Sequence, residues 1–451
     1  MDIKDVKEIV GNIDFLIEEK DEAIIRNIIV GLHPADLAEI LHYLKEEQRN
    51  YIFSLLDAEI ASDVIAEMDD VSRDKILDDL DEERISEIVD EMDSDDATDL
   101  VSDLPADVAQ KVLDSIDKED SEEVIELMTH EEDTAGGIMA KEFVAVNEKT
   151  KVEEARIEIR RKADEVDDIF YIYVLDDKNR LVGIVSLKAL IVADSKTKMS
   201  EIMNQDVITV STSMDQEEVA NIAKKYDLVS IPVVDNDKAL VGRITFDDVA
   251  DVMEEEASED MQRMAGITDE EEFRETSILR ISQVRLPWLL VGFAGQLVSA
   301  FILSSFEASL SQIIAAAFFI PIIMAMGGNA GIQSSTIMVR GMATGEIELF
   351  EIRKRLIREV FVSLLNGMIC GILLFLVVAF FLKQPNFGLL LGCTLLFVIM
   401  MAAFIGASIP VLLKNLNIDP AIATGPFITT SNDVIGLLIY FGLITIFLPY
   451  L

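Results

Sequence analysis

The 451-residue chain is poor in the residues that carry most protein chemistry. Its two cysteines, Cys370 and Cys393, both lie in apolar runs, so no disulfide framework holds it together. Its three histidines, His33, His42 and His130, are too few and too scattered for a thiolate or imidazole metal centre. It has no Ser/His or Cys/His pairing and no phosphate-cradling loop, which argues against an enzyme. Basic residues are scarce: 38 Lys and Arg stand against 83 Asp and Glu, a formal net charge of −45. Nothing supplies a basic face for phosphates, which excludes nucleic acid as a partner. The opening residues, MDIKDVKEIV, lack the apolar core of a signal peptide.

What is present is unevenly placed. Half of the residues are hydrophobic and the mean hydropathy is +0.32, which so acidic a chain reaches only if the two properties occupy different stretches. From Met1 to Arg280 there are 76 acidic and 30 basic residues; from Ile281 to Leu451 there are 7 and 8. The sequence predicts an acidic water-soluble half, itself too long for one core, joined to a nearly neutral membrane half.

Residues 1–132 read as short helices with a period. Leu44, Leu56, Met68, Leu80, Met92, Leu104, Ile116 and Met128 fall at steps of 12. Ser72 and Asp95 are expected as helix N-caps. A unit this short cannot bury its own apolar stripe, whereas stacked units can, so a small helical solenoid is expected. The alternative is an acidic bundle with an accidental period. Runs such as EMDD, DDLDEE and DEMDSDD crowd the polar faces with carboxylates that repel one another.

Residues 138–253 contain a duplication. IMAKEFVAV matches IMNQDVITV, and YVLDDKNRLVGIVS matches PVVDNDKALVGRIT. Alternating apolar residues and turn-forming Asp and Asn predict strand, helix, strand, strand, helix, twice over. This resembles a tandem CBS pair. The second copy carries Thr245 and Asp248 at the spacing that CBS modules use on adenosine ribose and phosphate; the first has Ala189 in place of the acid. The resemblance thus implies ATP binding at Thr245 and Asp248 in one copy only.

The stretch after the duplication is an acidic helix in which Asp247, Asp248, Asp251, Glu254 to Glu256, Glu259 and Asp260 surround a stripe of Val252, Met253, Met261 and Met264. Like charges at i,i+4, such as Asp251–Glu255 and Glu255–Glu259, destabilise it unless hard divalent cations sit between them. A solvated connector is the alternative.

Five apolar stretches follow, at about 286–305, 313–336, 360–381, 388–412 and 434–450, each near the ~20 residues that cross a bilayer. Arg280, Arg285, Arg340, Arg353, Lys354, Arg355, Arg358 and Lys414 flank them on one side, which puts the first 280 residues in the cytoplasm and the C-terminus outside. PIIMAMGGNAGIQ, from Pro321, is expected to interrupt a helix at membrane depth; tight glycine packing with Asn329 bonding across a helix pair is the alternative. In DPAIATGPFITTSND, Asp419 and Asp433 are the only carboxylates of the last 90 residues, and Thr424, Thr429 and Thr430 add hydroxyls. Asp433 opens the fifth stretch, either on an ion path or as its N-cap.

In this order of parts, and above all in those two membrane motifs, the whole chain resembles the MgtE family of magnesium channels. The resemblance implies a multidomain fold: an all-α N-terminal helical solenoid (1–132), an α/β tandem CBS pair (133–200 and 201–253), a connecting helix (254–278) and an all-α five-span transmembrane domain (279–451). It implies a homodimer in the cell inner or plasma membrane, with no obligatory protein partner. Mg²⁺ would pass inward down its gradient and would close the channel from the cytosolic side. Asp433 matches the family's pore carboxylate, with Gly328 and Thr429 bordering it and Asp419 a second ion-facing acid. Asp247, Asp251, Glu255, Glu256 and Glu259 are the implied sensor acids. A coupled divalent-cation transporter and a non-transporting membrane sensor are the rival readings.

Overall fold

The computed structural model describes residues 9–13, 15–17, 22–163, 166, 169–267, 277–344, 347, 352–416, 418–423 and 425–450. The linker segment 268–276 and Thr424 lie outside them. The chain divides into two compact units, Met1–Met253 and Glu254–Leu451.

The first unit begins with helices α1 (Glu22–Ile29), α2 (Pro34–Tyr43), α3 (Glu46–Phe53), α4 (Ala58–Ala66), α5 (Asp70–Leu77), α6 (Glu82–Val89), α7 (Ser94–Asp103), α8 (Ala106–Leu113) and α9 (Lys118–Leu127). The twelve-residue period is a capping register. N-caps stand at His33, Lys45, Asp57, Asp69, Asp81, Asp93, Pro105 and Asp117. The Asp57, Asp69 and Asp81 carboxylates accept from the backbone N–H three residues on, at 3.1, 3.0 and 2.9 Å. Each such cap contributes about 1 kcal/mol. Ser72 and Asp95 are therefore not caps. Ser72 supplies the N–H that Asp69 satisfies, and Asp95 lies in the first turn of α7, because a capping oxygen reaches forward and must stand earlier in the chain.

Helices pack on those two further along: α2 on α4, α4 on α6, α6 on α8, and α7 on α9. Leu44, Leu56, Met68 and Ile116 are buried in one continuous core, while Met128, the last of the series, is 43% exposed. Side chains tie the layers. Arg84 Nη2 donates to Leu56 O at 2.8 Å, and Lys111 Nζ to Glu82 at 2.6 Å. This is the stacking of a solenoid.

The duplication folds as two matching three-stranded sheets. The first holds β1 (Ala145–Asn147), α10 (Val152–Lys162), β2 (Tyr171–Leu175), β3 (Leu181–Ser186) and α11 (Leu187–Val192), followed by a short α12 (Met199–Ile202). The second holds β4 (Val210–Ser211), α13 (Gln216–Tyr226), β5 (Ser230–Val234), β6 (Leu240–Thr245) and α14 (Phe246–Ala265). In each, the first strand runs parallel to the second and the second antiparallel to the third. Asp176 and Asp235 hold the hairpin turns, each accepting two backbone N–H groups at 2.8–3.0 Å.

The lead-in to each copy packs on the other. Ala140 pairs with Arg243 in the second sheet, and Asn204 with Ile184 in the first. Met139 lies against Gly242 and Met203 against Gly183, each so close that a Cβ on the glycine would stand 2.7 Å from the sulfur. In α14, Val249 and Val252 are buried, but Met253 and Met261 face outward, so the apolar stripe stops after its first turns. Gly266, at φ 81°, ends the helix with the left-handed turn glycine adopts without strain.

The second unit holds α15 (Ile278–Ser305), a short α16 (Glu307–Gln312), α17 (Ile320–Ala343), α18 (Ile352–Val377), α19 (Pro385–Asn415) and α20 (Pro426–Phe447). Among the described residues, five helical stretches are long and apolar enough to cross a membrane. The chain reads as a multi-pass membrane protein. Two expectations change. α17 is continuous through Gly327–Gly331, with Pro321 in its first turn, where a missing N–H costs nothing. The irregularity comes earlier, as a 3₁₀ turn at Ile314–Phe319. The glycines instead let backbones pack closely: a Cβ on Gly406 would stand 2.2 Å from Gly331 O, and a Cβ on either Gly371 or Gly392 would stand 2.5 Å from the other's carbonyl oxygen. Asn329 is exposed, and among the described residues its amide makes no bond across a helix pair. The fifth span starts at Pro426, so Asp433 lies two turns inside α20 and is not its cap.

Candidate functional site

In the first unit, α7 carries Asp95, Asp96 and Asp99 to the start of α14. Glu142, in the lead-in, clasps the N-terminus of α7: its two oxygens accept from Ser94 N–H at 3.1 Å and Ser94 Oγ at 2.9 Å. The N-terminus of a helix favours such a carboxylate. At the start of α14, Asp248 Oδ2 accepts from Thr245 N–H at 2.8 Å and Thr245 Oγ1 at 2.6 Å. The candidate nucleotide pair is thus preformed, its members bonded to each other. The equivalent Ser186 caps α11, with Ala189 N–H donating to its Oγ at 3.2 Å.

Like charges converge here. Burial, then Asp248, holds the Asp95 carboxyl well above the usual range. Burial and Asp248 push Asp96 up to about 8. Burial pushes Asp99 up to about 6 against the pull of Arg73. Burial likewise raises Asp248 and Glu142. Asp96 and Asp99 nonetheless keep exposed edges on α7. Asp247 faces this group and raises Asp96. Of the five sensor acids named from sequence, Asp247 acts in this cluster. Asp251 and Glu255 are exposed further along α14.

In the second unit, the last turns of α14 meet the loop before α20. Arg263 Nη1 donates to Asp419 Oδ2 at 2.6 Å and also pairs with Glu259. Asp419 Oδ1 accepts from Ala421 N–H at 2.8 Å, opening the 3₁₀ turn Pro420–Ala423. Burial, then Asp419 and Glu256, pushes Asp260 up to about 6. Glu256, Glu259 and Asp419 thus come together with Asp260 and with Arg263, which the sequence reading passed over.

Within the apolar spans, Thr429 Oγ1 donates to Gly425 O at 3.0 Å, and its methyl would lie 3.9 Å from a Cβ on Gly328. Gly328 and Thr429 therefore face each other across α17 and α20. One turn on, Asp433 Oδ2 accepts from Gln296 Nε2 of α15 at 2.5 Å. Its neighbour Asn432 is 2% exposed, and neither end of its amide has a partner among the described residues. Gln296 and Asn432 were missed; the signal was an amide inside an otherwise apolar span.

The donors at all three places are carboxylates without thiolates or imidazoles, the chemistry that suits a hard cation. Among the described residues no three such side chains converge tightly enough to wrap a bare ion. Wider spacing suits Mg²⁺, which gives up its water reluctantly. At the nucleotide pair, the Asp248 carboxylate fits ribose hydroxyls, whereas Asp95 and Asp96 beside it would repel a polyphosphate lacking a divalent cation.

Comparison with known proteins gives three family matches: a divalent cation transporter domain over residues 320–443, an MgtE intracellular N domain over 32–133, and CBS domains over 135–196 and 199–255. The magnesium transporter MgtE of Thermus thermophilus is 37% identical over 428 residues, 94% of this chain and 95% of that one. The Enterococcus faecalis magnesium transporter MgtE is 37% identical over 72% of this chain and 71% of its own. Among solved structures, the cytosolic domain of the Mg²⁺ channel MgtE in complex with ATP is 39% identical, with a TM-score of 0.51 over 54% of this chain and 99% of that one. The soluble part of a magnesium transporter is 30% identical, with a TM-score of 0.52 over 56% and 99%. With acidic solenoid, paired CBS sheets and five apolar spans matched along almost its whole length, the chain belongs to the MgtE family of divalent cation transporters.

Proposed function

We propose that the protein is a Mg²⁺ channel of the cell membrane, working as a homodimer, that carries Mg²⁺ into the cytoplasm and closes when cytosolic Mg²⁺ rises. The observation that carries this reading is Asp433, a carboxylate two turns inside an apolar span and hydrogen-bonded to a second polar side chain there. An ionisable group at that depth marks an ion path. Asp433 would hold the hydrated ion through its waters, with Gly328 and Thr429 beside it and Asp419 at the cytosolic approach. The first 280 residues would lie in the cytoplasm and the C-terminus outside.

Regulation follows from charge. The carboxylates of α7, Glu142 and the start of α14 stay together only when protonated or bridged by cations. Mg²⁺ held there, and at Glu255, Glu256 and Glu259, would favour the closed form; an ion shifts the balance only by binding that form more tightly. ATP would enter at Thr245 and Asp248, its phosphates accompanied by Mg²⁺. In this reading residues 1–132 and the CBS modules 133–200 and 201–253 sense, 254–278 couples, and 279–451 conducts.

The test is single-channel recording from the full chain in a bilayer with Mg²⁺ as sole permeant cation. Unitary currents that shut as internal Mg²⁺ rises, and that fall at least tenfold in Asp433→Asn, are expected. Silence from folded protein, with Mg²⁺ flux appearing only when a Na⁺ or H⁺ gradient is added, would overturn the channel in favour of coupled transport.

A further inference from the structure

Between Arg285 and Glu307, α15 contains one amide side chain, Gln296, among Leu, Val, Phe, Ala and Ser. A carboxamide in an apolar span costs free energy unless its hydrogen bonds are made. Here one is made to the single carboxylate of α20. Helix packing fixes the reach: Gly295, the preceding residue, touches Thr430 so closely that a Cβ would stand 2.0 Å from its methyl. One end of the same contact is closed by Trp288 edge-on to Phe427, ring centres 5.8 Å apart. α15 is thereby held close against α20, with the Gln296 amide in reach of Asp433.

The chemistry of the donor matters. Lys or Arg at position 296 would bond the carboxylate equally well but cancel its charge and repel a divalent cation. A Ser hydroxyl would not reach. A glutamine amide holds the carboxylate while leaving its charge whole. It also takes one oxygen only: Asp433 Oδ1 has no donor among the described residues, while Oδ2 is held by Gln296.

We propose that Gln296 is a positioning residue for the transported ion, clamping Asp433 Oδ2 so that Oδ1 is presented to the water shell of the cation. This rests on the reading of Asp433 as the pore carboxylate. Without the clamp the carboxylate samples other rotamers, and the ion meets it in the right pose less often.

The experiment is the dependence of unitary current on external Mg²⁺ in the full-length protein. Gln296→Met keeps the side chain's length and removes the donor. The half-saturating Mg²⁺ concentration should rise about tenfold, the low end for losing a hydrogen bond to a charged group. The internal Mg²⁺ that half-closes the channel should stay within about twofold, since gating does not pass through this bond. In an Asp433→Asn background the same change should add less than about twofold, because the partner is already neutral. Gln296→Asn, one methylene shorter, should reproduce the shift and serves if the Met variant fails to fold. A wild-type saturation curve from either folded variant overturns the proposal, as does an effect that adds in full to Asp433→Asn. If Asp433→Asn itself conducts normally, the pore reading falls and takes this inference with it.

Discussion

The crossing of α17 and α19 makes a quantitative prediction. A Cβ added at Gly406 would stand 2.2 Å from Gly331 O and 2.9 Å from both Gly331 C and Cα. All three are backbone atoms, so no side-chain rotation relieves the clash. Ordinary contact begins near 3.4 Å, so in Gly406→Ala the helices must part by about 1.2 Å or bend. Overpacking of this kind costs roughly 1–3 kcal/mol. On the scaling for domains of this size that is a fall of roughly 2–12 °C in the thermal midpoint. Gly328→Ala is the contrast. Its Cβ meets only the Thr429 methyl, at 3.9 Å, and alanine is the better helix former by up to about 1 kcal/mol. Its stability should hold or rise, while its Mg²⁺ current falls if that face borders the ion. Thermal unfolding of the purified full-length protein, paired with conductance, separates the two. Equal midpoints for Gly406→Ala and wild type would refute the packing argument.

Two further outcomes follow from the charge clusters. Asp96 and Asp99 titrate at about 8 and 6 in the folded protein, above the ordinary 3.8. A raised carboxyl supports the folded packing while protonated, so that support is full below about pH 3.8 and is lost as pH rises through 6 to 8. Without divalent cations, proteolysis between α9 and β1 should therefore quicken from pH 5 to 8.5, and millimolar Mg²⁺ should abolish the change; cleavage that slows with pH would contradict this. At the other cluster, Arg263→Gln removes the cation that bridges Glu259 and Asp419. Backbone amides at 259–266 should exchange about tenfold faster, the equivalent of one charge-assisted hydrogen bond, and unchanged exchange would show the bridge to be ornamental.

The order of parts was legible because each leaves a local mark: a twelve-residue register, a duplicated strand pattern, long apolar runs. So was the carboxylate chemistry, since Asp419 and Asp433 stand alone in the last 90 residues. Chain-distant partnerships were not. Asp95 reads as a helix cap but lies inside the first turn of α7, and nothing local says that Glu142 and Asp248 close on this turn. The glycines of α17 read as a break because glycine weakens helices; the structure spends them on contact with α19 and α20. Gln296 is one polar residue in a span, and its meaning appears only when α20 is laid beside it.

The crossed lead-ins of the CBS pair have a consequence for how the two copies are inherited. Each sheet is completed by a segment that precedes its twin, Ala140 on β6 and Asn204 on β3. A chain severed near residue 200 would part the second sheet from its Met139 edge and leave Gly183 of the first without the sulfur that covers it. Neither copy could be lost, replaced or shuffled alone. They would have to be traded as a pair, and a substitution at Met139 or Met203 would be judged by the geometry of the other copy.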